Sequence, residues 1–356
     1  MPAAKGAVDI TRNWWKAALS AVLVLACILC GFVWYLGALM HPTAASETGV
    51  RISYPKGTGL QELAAQLEEK DVIRNAKAFI LFVKYKGEGT RFQAGEYMMY
   101  PGMKLESIVS QLNRGETVKE ETVRLTVPEG FTIRQIAEKV AELGMDADSF
   151  VTAARDYQGG EGQAIRQIPA NPAIRERLEG YLFPETYEWK KGASPQDMLD
   201  RMAQELDKRL QQLPADWQQV MAQRKLNLHE VMTIASLIER EVVLDEERPL
   251  VAGVIHNRLN KRMPLQIDAT IQYLFDKQKD RLFEKDLQVE SPYNTYLHTG
   301  LPPGPIASPS LASIRAALYP EETKFLFYVT KKDGSKGHLF AETYEEHLKN
   351  IAESKK

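Results

Sequence analysis

Hydrophobic positions along the chain fall into three kinds of pattern. From Ala17 to Met40 they make one run, AALSAVLVLACILCGFVWYLGALM, twenty-four residues without a charge. At about 1.5 Å per residue such a helix crosses a hydrocarbon core roughly 30 Å thick. Further on, apolar residues recur three and four apart behind a Pro/Gly turn, three times over. Tyr54-Pro55-Lys56-Gly57 leads into LQELAAQL, Tyr100-Pro101-Gly102 into LESIVSQL, and Val127-Pro128-Glu129-Gly130 into IRQIAEKV. Each predicts a short strand, a turn and an amphipathic helix, the third capped by Thr132. Longer helical runs follow at PQDMLDRMAQELDKRLQQL and WQQVMAQRKLNLHEVMTIASLIEREV, with strands at TVRLTV and KFLFYVT. KKDGSKG, just after the last of these, predicts a hairpin connection.

The flanks of the first run orient it. Lys5, Arg12 and Lys16 precede it, whereas Glu47 is the only formal charge from His41 to Thr48. Trp14 and Trp15 at one end and Trp34 and Tyr35 at the other suit the two interfaces. The positive-inside rule then predicts a cytoplasmic tail (1–16), a transmembrane helix (17–40) in the cytoplasmic, or inner, membrane, and everything beyond residue 40 outside. A cleaved signal peptide is the alternative, but its apolar core is shorter, roughly 7–15 residues.

Outside the membrane two units are expected. Residues 50–118, which include VIRNAKAFILFVKYKG and QAGEYMMY as a second helix and a return strand, resemble the LysM-type modules that bind glycan chains; a plain spacer is the alternative. Residues 119–352 make a larger unit. Helices and strands do not alternate regularly enough for a doubly wound sheet, so the fold class is α+β.

Composition narrows the chemistry. A net charge of −2 provides no general basic surface and argues against nucleic acid as a partner. Cys27 and Cys30, both in the apolar run, are the only cysteines, so the exported part has no disulfide and no thiolate metal site. His229-Glu230 begins an HExxH-like string that fails at Thr233, and no nucleophile elbow, phosphate loop or dinucleotide fingerprint is present. No cofactor is expected.

On a helix from Leu226 to Val243, advancing about 100° per residue, Leu228, Val231, Met232, Ala235, Ile238 and Val242 form an apolar stripe. Glu239 falls inside that stripe, while His229, Thr233, Ser236 and Arg240 take the opposite, polar face. A carboxyl on a core face is costly unless paired or neutral, and desolvation favours the acid form that a general acid needs. A buried ion pair is the other reading. The stretch Ser291 to Ser310, SPYNTYLHTGLPPGPIASPS, has five prolines and two glycines and predicts a shaped loop rather than a helix or strand. Its Tyr293, Asn294 and Tyr296 are candidate sugar contacts, by ring stacking and amide hydrogen bonding. Glu179 to Trp189 is rich in aromatic and acidic residues, and Gln266 and Asp268 form a polar pair; both segments are compatible with the same cleft.

Together these motifs resemble the MltG (YceG-like) family of endolytic murein transglycosylases. The resemblance rests on Ala-Ser-Leu-Ile-Glu-Arg-Glu at 235–241, Asn257-Arg258-Leu259, Leu265-Gln266-Ile267-Asp268, Tyr293-Asn294-Thr295-Tyr296, and Thr299-Gly300-Leu301-Pro302-Pro303-Gly304. The Glu-Gly-Tyr-Leu-Phe-Pro-Glu-Thr string and Gly337-His338-Leu339-Phe340 extend it, from about residue 50 onward. It implies Glu239 as the catalytic acid/base and Gln266, Asp268, Tyr293, Asn294 and Tyr296 as substrate contacts. Some members have Thr where this chain has Ile267. The implied substrate is the peptidoglycan glycan strand, cut between N-acetylmuramic acid and N-acetylglucosamine by attack of the muramoyl C6 hydroxyl, leaving a 1,6-anhydro end on nascent strands. Cell-wall synthesis proteins are the implied partners. A hydrolytic muramidase using Glu239 with Asp268, and a catalytically silent glycan-binding scaffold, are the competing readings.

Overall fold

The computed structural model describes residues 11–89, 91–118, 121–158, 160 and 162–355. The first ten residues of the expected cytoplasmic tail, Lys5 among them, lie outside the described residues. The chain divides into two compact units, Met1–Glu120 and Glu121–Lys356.

The first unit opens with α1 (Thr11–Met40). Its segment Trp14–Met40, with a mean hydropathy of 2.5, is long and apolar enough to cross a membrane and packs none of its apolar window inside protein. Then come β1 (Val50–Tyr54), α2 (Leu60–Glu69), α3 (Ala76–Lys86), β2 (Gly95–Met99) and α4 (Leu105–Arg114). β1 and β2 pair antiparallel, Val50 opposite Met99 and Tyr54 opposite Gly95. The three-and-four spacing of LQELAAQL turns Leu63, Ala64 and Leu67 inward, where they meet Ile52, Phe79, Tyr97 and Leu112 in a closed core. Asn75 starts α3 by accepting from the Ala78 amide, and Gly87, in the left-handed region, ends it.

The second unit contains β3 (Thr122–Thr126), α5 (Ile133–Glu142), α6 (Ala147–Asp156), β4 (Thr186–Lys190), α7 (Pro195–Leu210), α8 (Trp217–Gln223), α9 (Leu228–Glu241), α10 (Arg248–Asn260), α11 (Asp268–Gln272), α12 (Leu311–Leu318), β5 (Phe327–Thr330), β6 (His338–Ala341) and α13 (Tyr344–Glu353). β3 pairs with β4 from Thr122–Lys190 to Thr126–Thr186, and β5 with β6 in the expected hairpin. Among the described residues the strands form three separate two-stranded antiparallel sheets, a mixed helix-and-sheet architecture with no doubly wound sheet. Thr132 caps α5 in a reciprocal pair with Gln135.

Two expectations are corrected here. The helical run from Trp217 is broken: α8 stops at Gln223, Lys225 takes a left-handed backbone, and Asn227 starts α9 afresh. The cause is a capping box, in which Asn227 Oδ1 accepts from the Glu230 amide at 2.9 Å and Glu230 returns a carboxylate oxygen to the Asn227 amide at 2.8 Å. Nor does α9 have a solvated polar face, because His229, Thr233 and Ser236 are buried along with the apolar stripe. Their polar atoms are satisfied in place. His229 meets the Tyr181 hydroxyl at 3.0 Å and the Pro303 carbonyl at 2.9 Å, and Thr233 donates to the His229 carbonyl at 2.7 Å. Ser236 donates to the Thr233 carbonyl at 2.7 Å and accepts from the Ile306 amide at 3.1 Å. The proline-rich loop therefore lies along that face of α9 and closes it from water.

Candidate active site

α9 delivers Glu239 at its C-terminal end. Only 5% of the side chain is exposed, so the carboxyl is buried as its place in the apolar stripe requires. It is not alone there. Oε2 accepts from the Ser310 amide at 2.8 Å and the Ser310 hydroxyl at 2.5 Å, and Arg248 Nη1 stands 3.2 Å away. Of the two sequence readings of this carboxyl, a lone desolvated acid and a buried ion pair, the ion pair is the one found. No hydrogen bond from a described residue reaches Oε1.

Each partner is fixed by its own element. Ser310 is the N-cap of α12, its hydroxyl also accepting from the Ser313 amide at 3.2 Å, so Glu239 sits at a helix N-terminus, where negative charge is favoured. Arg248 begins α10 and is itself buried; it donates to Asp245 at 2.8 Å and to the Ser313 hydroxyl at 2.6 Å. Asp245 and the Ser313 hydroxyl thus hold the guanidinium at the Glu239 carboxyl.

The turn after β3 closes the other side. The Gly130 amide donates to the Ser308 carbonyl at 2.8 Å, and the Ser308 amide to the Phe131 carbonyl at 2.8 Å. Arg240 Nη1 donates to the Gly130 carbonyl at 2.9 Å. Gly130 has φ +74°, a backbone that suits glycine, and a Cβ there would lie 3.8 Å from Glu239 Cγ. Glu129 on the same turn is close enough to Glu239 to feel its charge: desolvation first, and then that charge, raise its carboxyl above the usual range.

Glu241 is partnered elsewhere. Tyr328 on β5 donates to it at 3.0 Å, and burial pushes its carboxyl up despite that bond. Asp268 opens α11 at an exposed rim, where the Tyr296 hydroxyl donates to it at 2.5 Å. Two short segments make this pairing. The Gln266 amide donates to the Thr295 carbonyl at 3.0 Å and the Ile267 amide to the Thr295 hydroxyl at 3.0 Å, so the strings around Gln266 and Tyr293 are laced together. Gln266 is exposed and has φ +53°.

Tyr293 and Asn294 sit differently from the sugar-contacting role expected of them. Asn294 is fully buried, its amide donating to the Leu287 and Val289 carbonyls at 2.9 and 2.8 Å while its oxygen accepts from the Tyr296 amide at 2.9 Å. All of this holds its own loop. Tyr293 is 2% exposed, packs against Tyr273 and accepts from the Arg175 amide at 3.3 Å. The geometry therefore pairs Asp268 with Tyr296 at the surface near Glu241, leaves Gln266 exposed next to them in sequence, and buries Tyr293 and Asn294.

The Asn257-Arg258 pair also works on the backbone. Asn257 donates to the Thr323 and Phe325 carbonyls at 2.8 and 3.0 Å. Buried Arg258 donates to the Leu326 carbonyl at 2.6 Å and to those of Leu265 and Pro264 at 2.6 and 3.2 Å. Sequence reasoning missed Ser310, Arg248 and Glu129. Ser310 carried a signal, a serine directly before LASIRAAL, which is an N-cap pattern; Arg248 looks in the sequence like one surface cation among many.

Residues 52–353 match the YceG-like family. The chain is 37% identical over 330 residues to the endolytic murein transglycosylase of Bacillus subtilis (strain 168), covering 90% of this chain and 89% of that one. It is 33% identical over 346 residues to the protein of the same name from Streptococcus pneumoniae serotype 2, covering 91% of this chain but 61% of that relative. A crystallised yceG-like protein of Listeria monocytogenes is similar in structure, with a TM-score of 0.58 and 32% identity over 85% of this chain and 99% of its own.

Proposed function

Because this chain belongs to the YceG-like family, we infer that it is a membrane-anchored lytic transglycosylase that cuts peptidoglycan strands internally, with Glu239 as its acid and base. One observation carries the residue: Glu239 is a buried carboxyl whose Oε2 is held by Ser310 and Arg248 while no hydrogen bond from a described residue reaches Oε1. A fixed carboxyl with one oxygen left for substrate suits proton transfer, which demands geometry before anything else.

Protonated Glu239 donates to the oxygen linking N-acetylmuramic acid to N-acetylglucosamine as the C1–O bond breaks. The carboxylate so formed takes the proton from the muramoyl C6 hydroxyl, whose oxygen bonds to C1. Its negative charge between the two steps is stabilised by Arg248 and the α12 N-terminus, groups already in position. No water enters, and the product ends in a 1,6-anhydro ring. Single-carboxylate schemes of this kind stand apart from the two-carboxylate glycosidases. Gln266, Asp268 and Tyr296 at the rim are read as substrate contacts, and Tyr293 and Asn294 as the support that shapes the loop bearing Tyr296.

The strand–helix–helix–strand order of β1, α2, α3 and β2 supports reading residues 50–118 as a LysM-like glycan-binding module ahead of a catalytic domain at 119–352. The apolar helix supports a single-pass anchor in the cytoplasmic membrane, its basic flank inside and the enzyme outside, where nascent strands and cell-wall synthesis proteins lie. Digestion of purified peptidoglycan by the chain and by its Glu239→Gln form tests the whole reading. Release of 1,6-anhydro products by the first and not the second is expected; equal release by both would remove Glu239 from the mechanism.

A further inference from the structure

Glu179 opens the Glu-Gly-Tyr-Leu-Phe-Pro-Glu-Thr string, and the mechanism above makes no use of it. The residue is 1% exposed. Oε1 accepts from the Ile133 amide at the start of α5, at 3.1 Å, whereas Oε2 is buried without a protein partner. The Tyr273 hydroxyl is likewise buried, faces that carboxyl and has no other partner among the described residues. Both residues line one cavity of about 300 Å³, with Thr132, Arg175, Arg240 and Gln272 also on its wall. Leaving two such groups unsatisfied is unfavourable, and a cavity between them that holds a ligand removes the cost. The volume lies at the lower end of the range for small-molecule sites, about 300–1,000 Å³, and suits one compact group.

The wall sets Arg134, Arg175, Arg240 and Lys277 against Glu138, Glu176, Asp276 and Glu179, so it offers no seat of one sign for a charged ligand. Arg134 is paired with Asp276, Arg175 is bound to the Tyr273 carbonyl at 2.7 Å, and Arg240 holds the Gly130 carbonyl at 2.9 Å. An anion would find these guanidiniums already engaged and a carboxyl facing it. Burial pushes the Glu179 carboxyl up to about 8, so near neutral pH it is an O–H donor, and an ammonium ligand would have to ionise it against that desolvation. Burial, and then the Glu179 charge, also push the Tyr273 phenol well up, which keeps a second O–H donor in place. Two neutral donors converging on a small cavity call for an uncharged carbonyl acceptor. Arg240 links the cavity to the Glu239 site: it lines the cavity wall, is the next residue to Glu239 and holds the Gly130 carbonyl of the turn that faces Glu239 Cγ.

We propose that this cavity is a subsite for the acetamido group of a glycan unit next to the scissile bond, with the Glu179 carboxylic acid and the Tyr273 hydroxyl donating to its carbonyl oxygen. The proposal rests on the glycan-cleaving reading above but assigns separate residues. Its test uses the full chain in detergent, silenced by Glu239→Gln, titrated with the N-acetylglucosamine tetramer and with the glucose tetramer, which lacks acetamido groups. The silenced chain should prefer the acetamido tetramer, and Tyr273→Phe or Glu179→Leu should reduce that preference about tenfold, the worth of one buried hydrogen bond. Affinity for the acetamido tetramer should fall as pH rises from 6 through about 8. Glu179→Gln, which keeps an N–H donor at the Oε2 position, should hold its affinity across that range. Should Glu179→Leu fail to fold, the Tyr273→Phe preference and the Glu179→Gln pH profile decide. No preference between the tetramers, or a preference indifferent to both residues and to pH, would overturn the subsite. Peptidoglycan cleavage by the chain with Glu239 intact, run in parallel, tells failure of the subsite from failure of the enzyme reading.

Discussion

Glu239 and Glu241 lie two residues apart on α9 and are partnered on different sides of it, Glu239 by Ser310 and Arg248, Glu241 by Tyr328. Side chains at that spacing diverge by roughly 200° around a helix, so the two carboxyls do not converge on one bond. The pair therefore separates the carboxyl proposed for proton transfer from one bonded to β5.

Replacing them one at a time should show this. Glu239→Gln is expected to reduce strand cleavage by at least the 10²–10⁴-fold typical of lost acid–base catalysis. It should also lower stability by about 1–3 kcal/mol, since Arg248 loses its buried carboxylate. Glu241→Gln should retain substantial activity. Product release and chemical denaturation on both variants check this, and equal loss of activity in the two would count against a single acid/base.

Arg248 offers a second check. Removing one member of a buried ion pair costs about 3–5 kcal/mol, because the other charge is left without compensation. Arg248→Met should therefore unfold at markedly lower denaturant with an unchanged slope. Arg248→Lys, which keeps the charge but not the planar reach to Asp245, Glu239 and Ser313 together, should fall between.

The nature of the product separates lysis from hydrolysis. Attack by the muramoyl C6 hydroxyl leaves anhydro ends; attack by water, with Asp268 as its base, leaves reducing ends that borohydride converts to alditols. Mass spectrometry distinguishes products differing by one water. Anhydro ends are expected from the chain and also from Asp268→Asn, whose effect should fall on KM because Asp268 sits with Tyr296 at the rim.

Glu179 predicts a pH dependence of stability. Its folded pKa, about 8, lies above the ordinary glutamate value of 4.5, so between these values the folded state binds a proton that the unfolded state has released. Between those values its contribution to stability falls as pH rises, by up to about 1.4 kcal/mol per unit, and above about 8 it levels off. Glu179→Gln should flatten that decline, and unfolding midpoints from pH 5 to 9 measure it. A parallel decline in both proteins would show that other groups are responsible.

The anchor is tested in cells. The full chain should stay with membranes through a high-salt wash, and protease added to spheroplasts should degrade the part after residue 40. Recovery of a mature protein starting beyond residue 40 would show that the apolar run is a cleaved signal.

Much of the fold was legible because its signals are local. LQELAAQL, LESIVSQL and IRQIAEKV carry the helical period without interruption, and each became a helix, while KKDGSKG became a hairpin turn. The break between α8 and α9 was legible only to a reader who gave the Asn227–Glu230 box more weight than the periodicity running through it. The site was less accessible. The burial of Glu239 follows from its angle on the wheel, but Ser310 lies 71 residues away in sequence and Arg248 packs from another helix. Asn294 misled for a related reason: an amide in a proline-rich loop has the same letters whether it faces a ligand or ties its own backbone, and here it does the latter. His229, Thr233 and Ser236 misled because each found a partner inside, which periodicity does not reveal.

Arg258 joins the Leu265 carbonyl to that of Leu326, and Tyr328, two residues further on, reaches Glu241. Synthesis proceeds from the N-terminus, so when α9 is complete Ser310 and Tyr328 do not yet exist. The C-terminal end of α9, with its two glutamates, must wait for more than eighty further residues before its walls can close. Long-range closure of this kind comes late in folding. A chain still being made thus lacks partners for both glutamates, and the amide and hydroxyl that hold Glu239 arrive only with Ser310.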